Sequence, residues 1–186
     1  MKTQTAGKHG MSHSPIDSKT AGQRNEKLIL SLLRKQGSLS QTELCRLVGI
    51  GSSTASTIVS RLREKGLVLE NRGLSSRRGP KPIILSLNPD CYYLIGMEIN
   101  PSFAMIGLFD FVGRLVGKLQ IPLGSDHSPA HVIGVICARM RVFMEEHHLN
   151  EDKILGAGVT LSGSVSSGGD VHLSSPLGWR DVPLRR

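Results

Sequence analysis

The sequence predicts an α+β chain: a small N-terminal module of three helices and a β-hairpin, followed by an incomplete α/β lobe. Three observations carry this. Apolar residues recur at helical spacing up to Gly66, whereas from Tyr92 onward they gather in short strand-like runs broken by tight turns. Positive charge is confined to the first half. Up to Asp90 there are 15 Lys and Arg against 6 Asp and Glu, or +9, while from Cys91 the balance is 8 against 9, or −1. Prolines at 80, 82 and 89 punctuate the change, and "NPD" at Asn88–Asp90 marks the boundary. The organisation expected is an arm over residues 1–23, a module over 24–88 and a lobe over 91–186.

Composition narrows the classes. With 39% apolar residues in 186 the chain can bury one ordinary domain, or a small domain and part of a larger one. No run is long enough to span a membrane and the start lacks an apolar signal region, so no membrane association and a cytoplasmic location are expected. Cys45, Cys91 and Cys137 stand singly, which favours reduced, buried thiols over a disulfide framework or a zinc cluster. No metal site and no cofactor are expected.

The first 22 or so residues are polar and without periodicity, so they read as a disordered arm. "RNEKLILSLLRKQ", Arg24 to Gln36, sets Leu28, Ile29, Leu32 and Leu33 on one stripe, with Gly37 as its stop. Ser40 and Glu43 have capping-box spacing. Leu44, Leu47 and Val48 then give a short second helix an inward face up to Gly49. A third helix opens near Ser52, with Ala55, Ile58, Val59 and Leu62 inward and Gly66 at its end. A short helix, a glycine turn and a longer helix make a helix-turn-helix.

The outward face of the third helix carries the chemistry. Ser52, Ser53, Ser56, Thr57, Ser60 and Arg61 are small hydrogen-bonding or cationic residues, able to enter a major groove and meet base edges and phosphates. A merely solvated helix carries more Glu and Lys, because Ser and Thr are poorer helix formers. Gln41 and Thr42, which open the second helix, are candidate contacts with them. "LVLENRGLSSRRGPKPIILSL", Leu67 to Leu87, reads as a hairpin with a basic tip. That is a wing, from which Arg77, Arg78 and Lys81 would reach phosphates. The partner expected is double-stranded DNA.

Beyond the boundary, "YYLIGMEI", "SFAMIGLFD" and "RLVGKLQIPL" read as a three-stranded meander with "FVGR" as its second turn. "SPAHVIGVICARMRVFMEEHHL" is an amphipathic helix with Pro129 in its first turn, and "KILGAGVTLSG" is a return strand. Together they make half of an α/β lobe.

The winged start, the "LIGMEI" to "FDFVGRLVGKLQIPL" meander and the run "ILGAGVTLSGSVSSGGDVHLSSPLGWRDVPL", in this order and spacing, resemble the ROK family of repressors, open reading frames and sugar kinases. The resemblance covers Arg24 to the end. It implies an actin-like (ribonuclease H-like) lobe and a transcriptional repressor of carbohydrate-utilisation genes, of the type that responds to xylose or N-acetylglucosamine. It also implies a sugar or sugar-phosphate effector in the intact ancestor, homodimer formation, and Ser162, Gly163 and Trp179 as vestigial ligand contacts.

Two departures qualify it. Family kinases carry an Asp-x-Gly-Gly-Thr turn after the first strand, where this chain has Glu98, Ile99, Asn100, Pro101 and Ser102, and Pro101 offers no amide to a phosphate. The second lobe of the family also lies beyond Arg186, so the resemblance implies a ROK domain truncated within its first lobe. Two rival readings stand beside a non-enzymatic regulator: a sugar kinase, and a non-functional truncated gene product.

Overall fold

In the computed structural model, which describes residues 15–72 and 82–184, α1 runs from Pro15 to Gln36. The stripe ends in a left-handed Gly37 (φ 80°), whose N–H closes on the Leu33 carbonyl at 2.8 Å. Ile29 and Leu33 are buried, whereas Leu28 lies outside the core. The arm expected to reach residue 23 is therefore helical from Pro15, and only residues 1–14 of it lie outside the described residues. The reason is the cheapness of propagation: once a buried face nucleates a helix, each further residue adds one bond. Pro15 suits a first turn, whose N–H groups have no helical partner. Periodicity could not reveal turns whose sequence, "PIDSKTAGQ", repeats no apolar spacing.

Five further elements follow in the first unit, which covers 1–87. They are β1 (Ser38–Ser40), α2 (Gln41–Val48), α3 (Ser52–Glu64) and the hairpin β2 (Val68–Arg72) with β3 (Ile83–Leu87). β3 pairs antiparallel with both other strands, in the order β1-β3-β2. The pairing of β1 was not legible, since "SLS" offers a single apolar residue, Leu39, and no alternation to read. Leu44, Ala55, Ile58, Leu62 and Leu85, each no more than 1% exposed, form the centre of this unit. Leu47, expected to face inward, is 43% exposed: an eight-residue helix has room for one buried turn, and Leu44 occupies it.

The second unit, 88–186, opens with the meander β4 (Tyr93–Ile99), β5 (Phe103–Asp110) and β6 (Leu115–Pro122). Then α4 (Pro129–Glu146) crosses over to β7 (Ile154–Leu161), which pairs parallel with β4, giving the order β6-β5-β4-β7. A parallel neighbour requires such a crossover, so the helix and the return strand belong together. Ala104, Ile106 and Leu108 alternate along β5 into a core shared with Val132, Ile136 and Phe143 of α4. The sheet's other face holds an open trough of about 540 Å³. Gly96 and Gly107 are register partners there. A Cβ on either would meet the Phe109 ring, at 3.1 and 2.9 Å, so both glycines make room for that ring.

A second sheet, β8 (Ser164–Val165), β9 (Asp170–Ser174) and β10 (Trp179–Pro183), follows in a stretch for which the sequence predicts no strand. Its strands are short and interrupted by Ser and Gly, yet Val171, Trp179 and Val182 turn inward into the same core. Cys91 is buried and burial pushes its thiol upward, but Cys137 is exposed on α4, against the expectation of buried thiols.

Asp110 ends β5 and is 2% exposed. Burial pushes its carboxyl up, but hydrogen bonds from the Arg114 amide (2.8 Å), the Arg114 guanidinium (2.8 Å) and the Val112 amide (3.1 Å), with the guanidinium charge, outweigh it and leave the carboxyl below its ordinary 3.8. A depressed folded value stabilises above the unfolded value and is lost on acidification. The second unit should therefore lose stability as pH falls through 3.8 and toward the lower folded value. Asp110→Asn should flatten that acid limb in urea melts taken at successive pH values.

Candidate nucleic-acid interface

The first turn of α2 is fixed by its sequence. The Ser40 hydroxyl accepts the Glu43 amide (3.2 Å), while the Glu43 carboxylate accepts the Ser40 amide (2.8 Å) and hydroxyl (2.7 Å). Those bonds, the hydroxyl's foremost, hold the Glu43 carboxyl below its ordinary value. At the other end Gly49 adopts φ 74° and donates to the Cys45 carbonyl at 2.9 Å. A side chain is strained in that conformation, so glycine sets the angle at which the chain enters α3.

Ala55, Ile58, Val59 and Leu62 bury one side of α3, which leaves Ser52, Ser53, Ser56, Thr57 and Ser60 exposed on the other. The predicted face is therefore assembled by the same spacing that builds the core. Within it two hydroxyls are engaged: Gln41 Nε2 donates to Ser56 Oγ at 2.7 Å, and Thr57 Oγ1 donates to the Ser53 carbonyl at 3.1 Å. Thr42 is exposed on α2. Arg61 is half exposed and ion-paired with Glu26 of α1 (3.4 Å), which also takes Lys65 (3.2 Å). Sequence reasoning missed this clamp, because Glu26 lies within the predicted first helix but its partners are at the end of α3, and helical spacing does not encode contacts between separate helices.

The wing ladder runs from Val68↔Leu87 to Arg72↔Ile83. Arg77, Arg78 and Lys81 fall in the segment 73–81 and lie outside the described residues. Arg72, exposed at the tip end of the ladder, adds a cation that the sequence candidates did not include.

The three lobe candidates do not share one environment. Ser162 is exposed and its carbonyl accepts the Ser174 hydroxyl at 2.7 Å. A Cβ at Gly163 would collide with the Leu173 carbonyl, so that glycine is a close-approach residue between β7 and β9. Trp179 is 1% exposed and donates its indole N–H to the His127 carbonyl at 2.6 Å, which makes it core and leaves no face for a ligand. Ser162 does border a small cavity of about 220 Å³ at the carboxyl ends of β4 and β7, with Glu98, Asn100 and Thr160. Above it, the Asn100 amide is spent on the Phe103 carbonyl (2.9 Å) and Pro101 has none, so this turn is not an anion cradle. Among the described residues no cluster of His, Cys, Asp and Glu could hold a metal, and no helix is long and apolar enough to cross a membrane.

Residues 23–68 match a family model of winged helix-turn-helix DNA-binding modules. The xylose repressor of Caldicellulosiruptor bescii is 25% identical over 164 residues, covering 88% of this chain and 41% of its own length. That of Bacillus subtilis is 24% identical, over 87% of this chain and 42% of its own. That of Staphylococcus xylosus is 32% identical, over 76% and 37%. A crystal structure of a ROK family transcriptional regulator, a homologue of the E. coli MLC protein, matches 87% of this chain with a TM-score of 0.66 at 17% identity, and shows the same fold over 41% of that protein. The α+β architecture, a winged helix-turn-helix followed by part of an actin-like lobe, is thus the one found in that regulator. The chain spans about two fifths of the length of the relatives it matches. By sequence the chain is homologous to the xylose repressors, and its fold is the one seen in that ROK family regulator.

Proposed function

We propose that the chain is a non-enzymatic, sequence-specific DNA-binding regulator, acting as a repressor of carbohydrate-utilisation genes, which reads operator DNA with α3 and grips the backbone with its wing. One observation carries the reading. Four residues of α3 lock it into the core while the exposed Ser and Thr residues 52, 53, 56, 57 and 60 occupy its outer side, on which Glu64, in the last turn, is the helix's one acidic residue. The charge of +9 up to Asp90 supports it, because that excess supplies phosphate contacts. Ser52, Ser53, Ser56, Thr57 and Ser60 are assigned to base edges and adjacent phosphates. Arg61, Arg77, Arg78 and Lys81 are assigned to the backbone, and Gln41 and Thr42 to the flank of the groove. A homodimer would set two such helices on a two-fold site. A sugar or sugar-phosphate effector belongs to the whole protein of this family, and in this chain Ser162 is the candidate that borders a cavity.

Replacing Ser56 with Ala and Thr57 with Val tests the reading. On duplexes enriched from a randomised pool, discrimination against random duplex should fall by up to about 1–3 kcal/mol, less for single hydroxyl bonds than for bidentate contacts. The slope of affinity against salt should stay near its original value, since no phosphate charge is removed. Unchanged discrimination would take α3 out of the groove.

A further inference from the structure

Two neighbouring hydroxyls on α3 differ in what they hold, and the difference extends the DNA-binding reading on which it rests. A hydroxyl has one hydrogen and two lone pairs. The Ser56 oxygen receives the Gln41 amide at 2.7 Å, and its own O–H has no acceptor among the described residues. An accepted bond polarises the O–H and turns it away from the donor, so Ser56 presents a hydrogen to whatever lies above the helix. Thr57 is the reverse. Its hydrogen is spent on the Ser53 carbonyl at 3.1 Å, so the side chain offers lone pairs and a methyl group.

We infer that Gln41 is a specificity-determining positioning residue, holding Ser56 as a donor toward a base that carries an acceptor on its major-groove edge, while Thr57 serves as the acceptor beside it. The edges that satisfy a donor are N7 and O6 of guanine, N7 of adenine and O4 of thymine. Those that satisfy an acceptor are the amino groups of cytosine and adenine. Gln41 opens α2 and Ser56 lies one turn into α3, so a single hydrogen bond spans the glycine turn and ties the reading hydroxyl to the preceding helix. A solvated hydroxyl would rotate and accept either kind of edge. The tie removes that freedom.

The test is selection from a pool of randomised duplexes with the full chain and with Gln41→Ala, Gln41→Glu and Ser56→Ala. Both side chains are at the surface, and circular dichroism verifies that each variant keeps its fold. In the native chain one base pair should show a preference of roughly 3- to 10-fold, the range a single net hydrogen bond supplies. Gln41→Ala should lose it at the same base pair as Ser56→Ala, with no further loss when the two are combined. Gln41→Glu is the decisive arm: its carboxylate accepts the Ser56 hydrogen, leaving only lone pairs outward, so the preference at that base pair should move toward an amino-bearing base. A structural role for Gln41 would not shift the base chosen. If the native chain enriches a sequence and both Gln41 variants enrich the same one, the inference is overturned and the DNA-binding reading stands. If the native chain enriches nothing, both fall together.

Discussion

Trp179→Ala is expected to cost the second unit about 3–5 kcal/mol, the range for removing a buried aromatic side chain. The indole fills the core that β9, β10 and α4 share, and its N–H satisfies the His127 carbonyl at 2.6 Å. Truncation therefore opens a cavity and orphans an acceptor at once. Trp179→Phe should separate the two terms: it keeps most of the volume and loses the hydrogen bond, for about 1–3 kcal/mol. Urea melts followed by far-UV circular dichroism read both. A loss below about 1 kcal/mol for the alanine variant would return Trp179 to the role of an exposed ligand contact.

The double variant of Arg77 and Arg78 to Ala is expected to change DNA binding in a different way. Each phosphate neutralised adds about 0.9 to the slope of log affinity against log salt, so removing both contacts should lower it by roughly 2 units. Sequence preference should barely move, because phosphate contacts position the protein while base contacts specify. Titration on an enriched duplex and on random duplex, each over a range of salt, separates the two. An unchanged slope would take the wing tip off the backbone.

What the sequence revealed, and what it hid, follows from how each element earns its stability. Ala55, Ile58, Val59 and Leu62 were legible as the inner face of α3 because periodic burial is what makes that helix, and the exposed hydroxyl face followed from the same spacing. The capping box at Ser40 and Glu43 and the left-handed Gly49 were legible because a local hydrogen bond or a backbone angle demands those residue types. The first turns of α1 were not, since their sequence carries no apolar periodicity. Strand β1 and the β8-β9-β10 sheet were hidden for a related reason: two- to five-residue strands rich in Ser and Gly carry too few alternations to be distinguished from turns. At the candidate site, the exposed hydroxyls could be placed from spacing. Their partners, Gln41 on Ser56 and Glu26 on Arg61, are contacts between separate helices that spacing does not encode. Trp179, which the family resemblance offers as a vestigial ligand contact, lies in the core, and its burial was not legible because a resemblance carries residue identity and not exposure.

The central claim is that the charge and hydroxyl pattern of the first unit binds duplex DNA with sequence preference. Fluorescence anisotropy of the full chain, titrated onto a duplex enriched from the randomised pool and onto its scrambled counterpart, tests it directly. The account predicts binding to both that weakens linearly in log affinity against log salt, with the enriched duplex held on the order of 10³-fold more tightly than the scrambled one. Equal affinity for the two duplexes, or no binding to either at low salt, would contradict it.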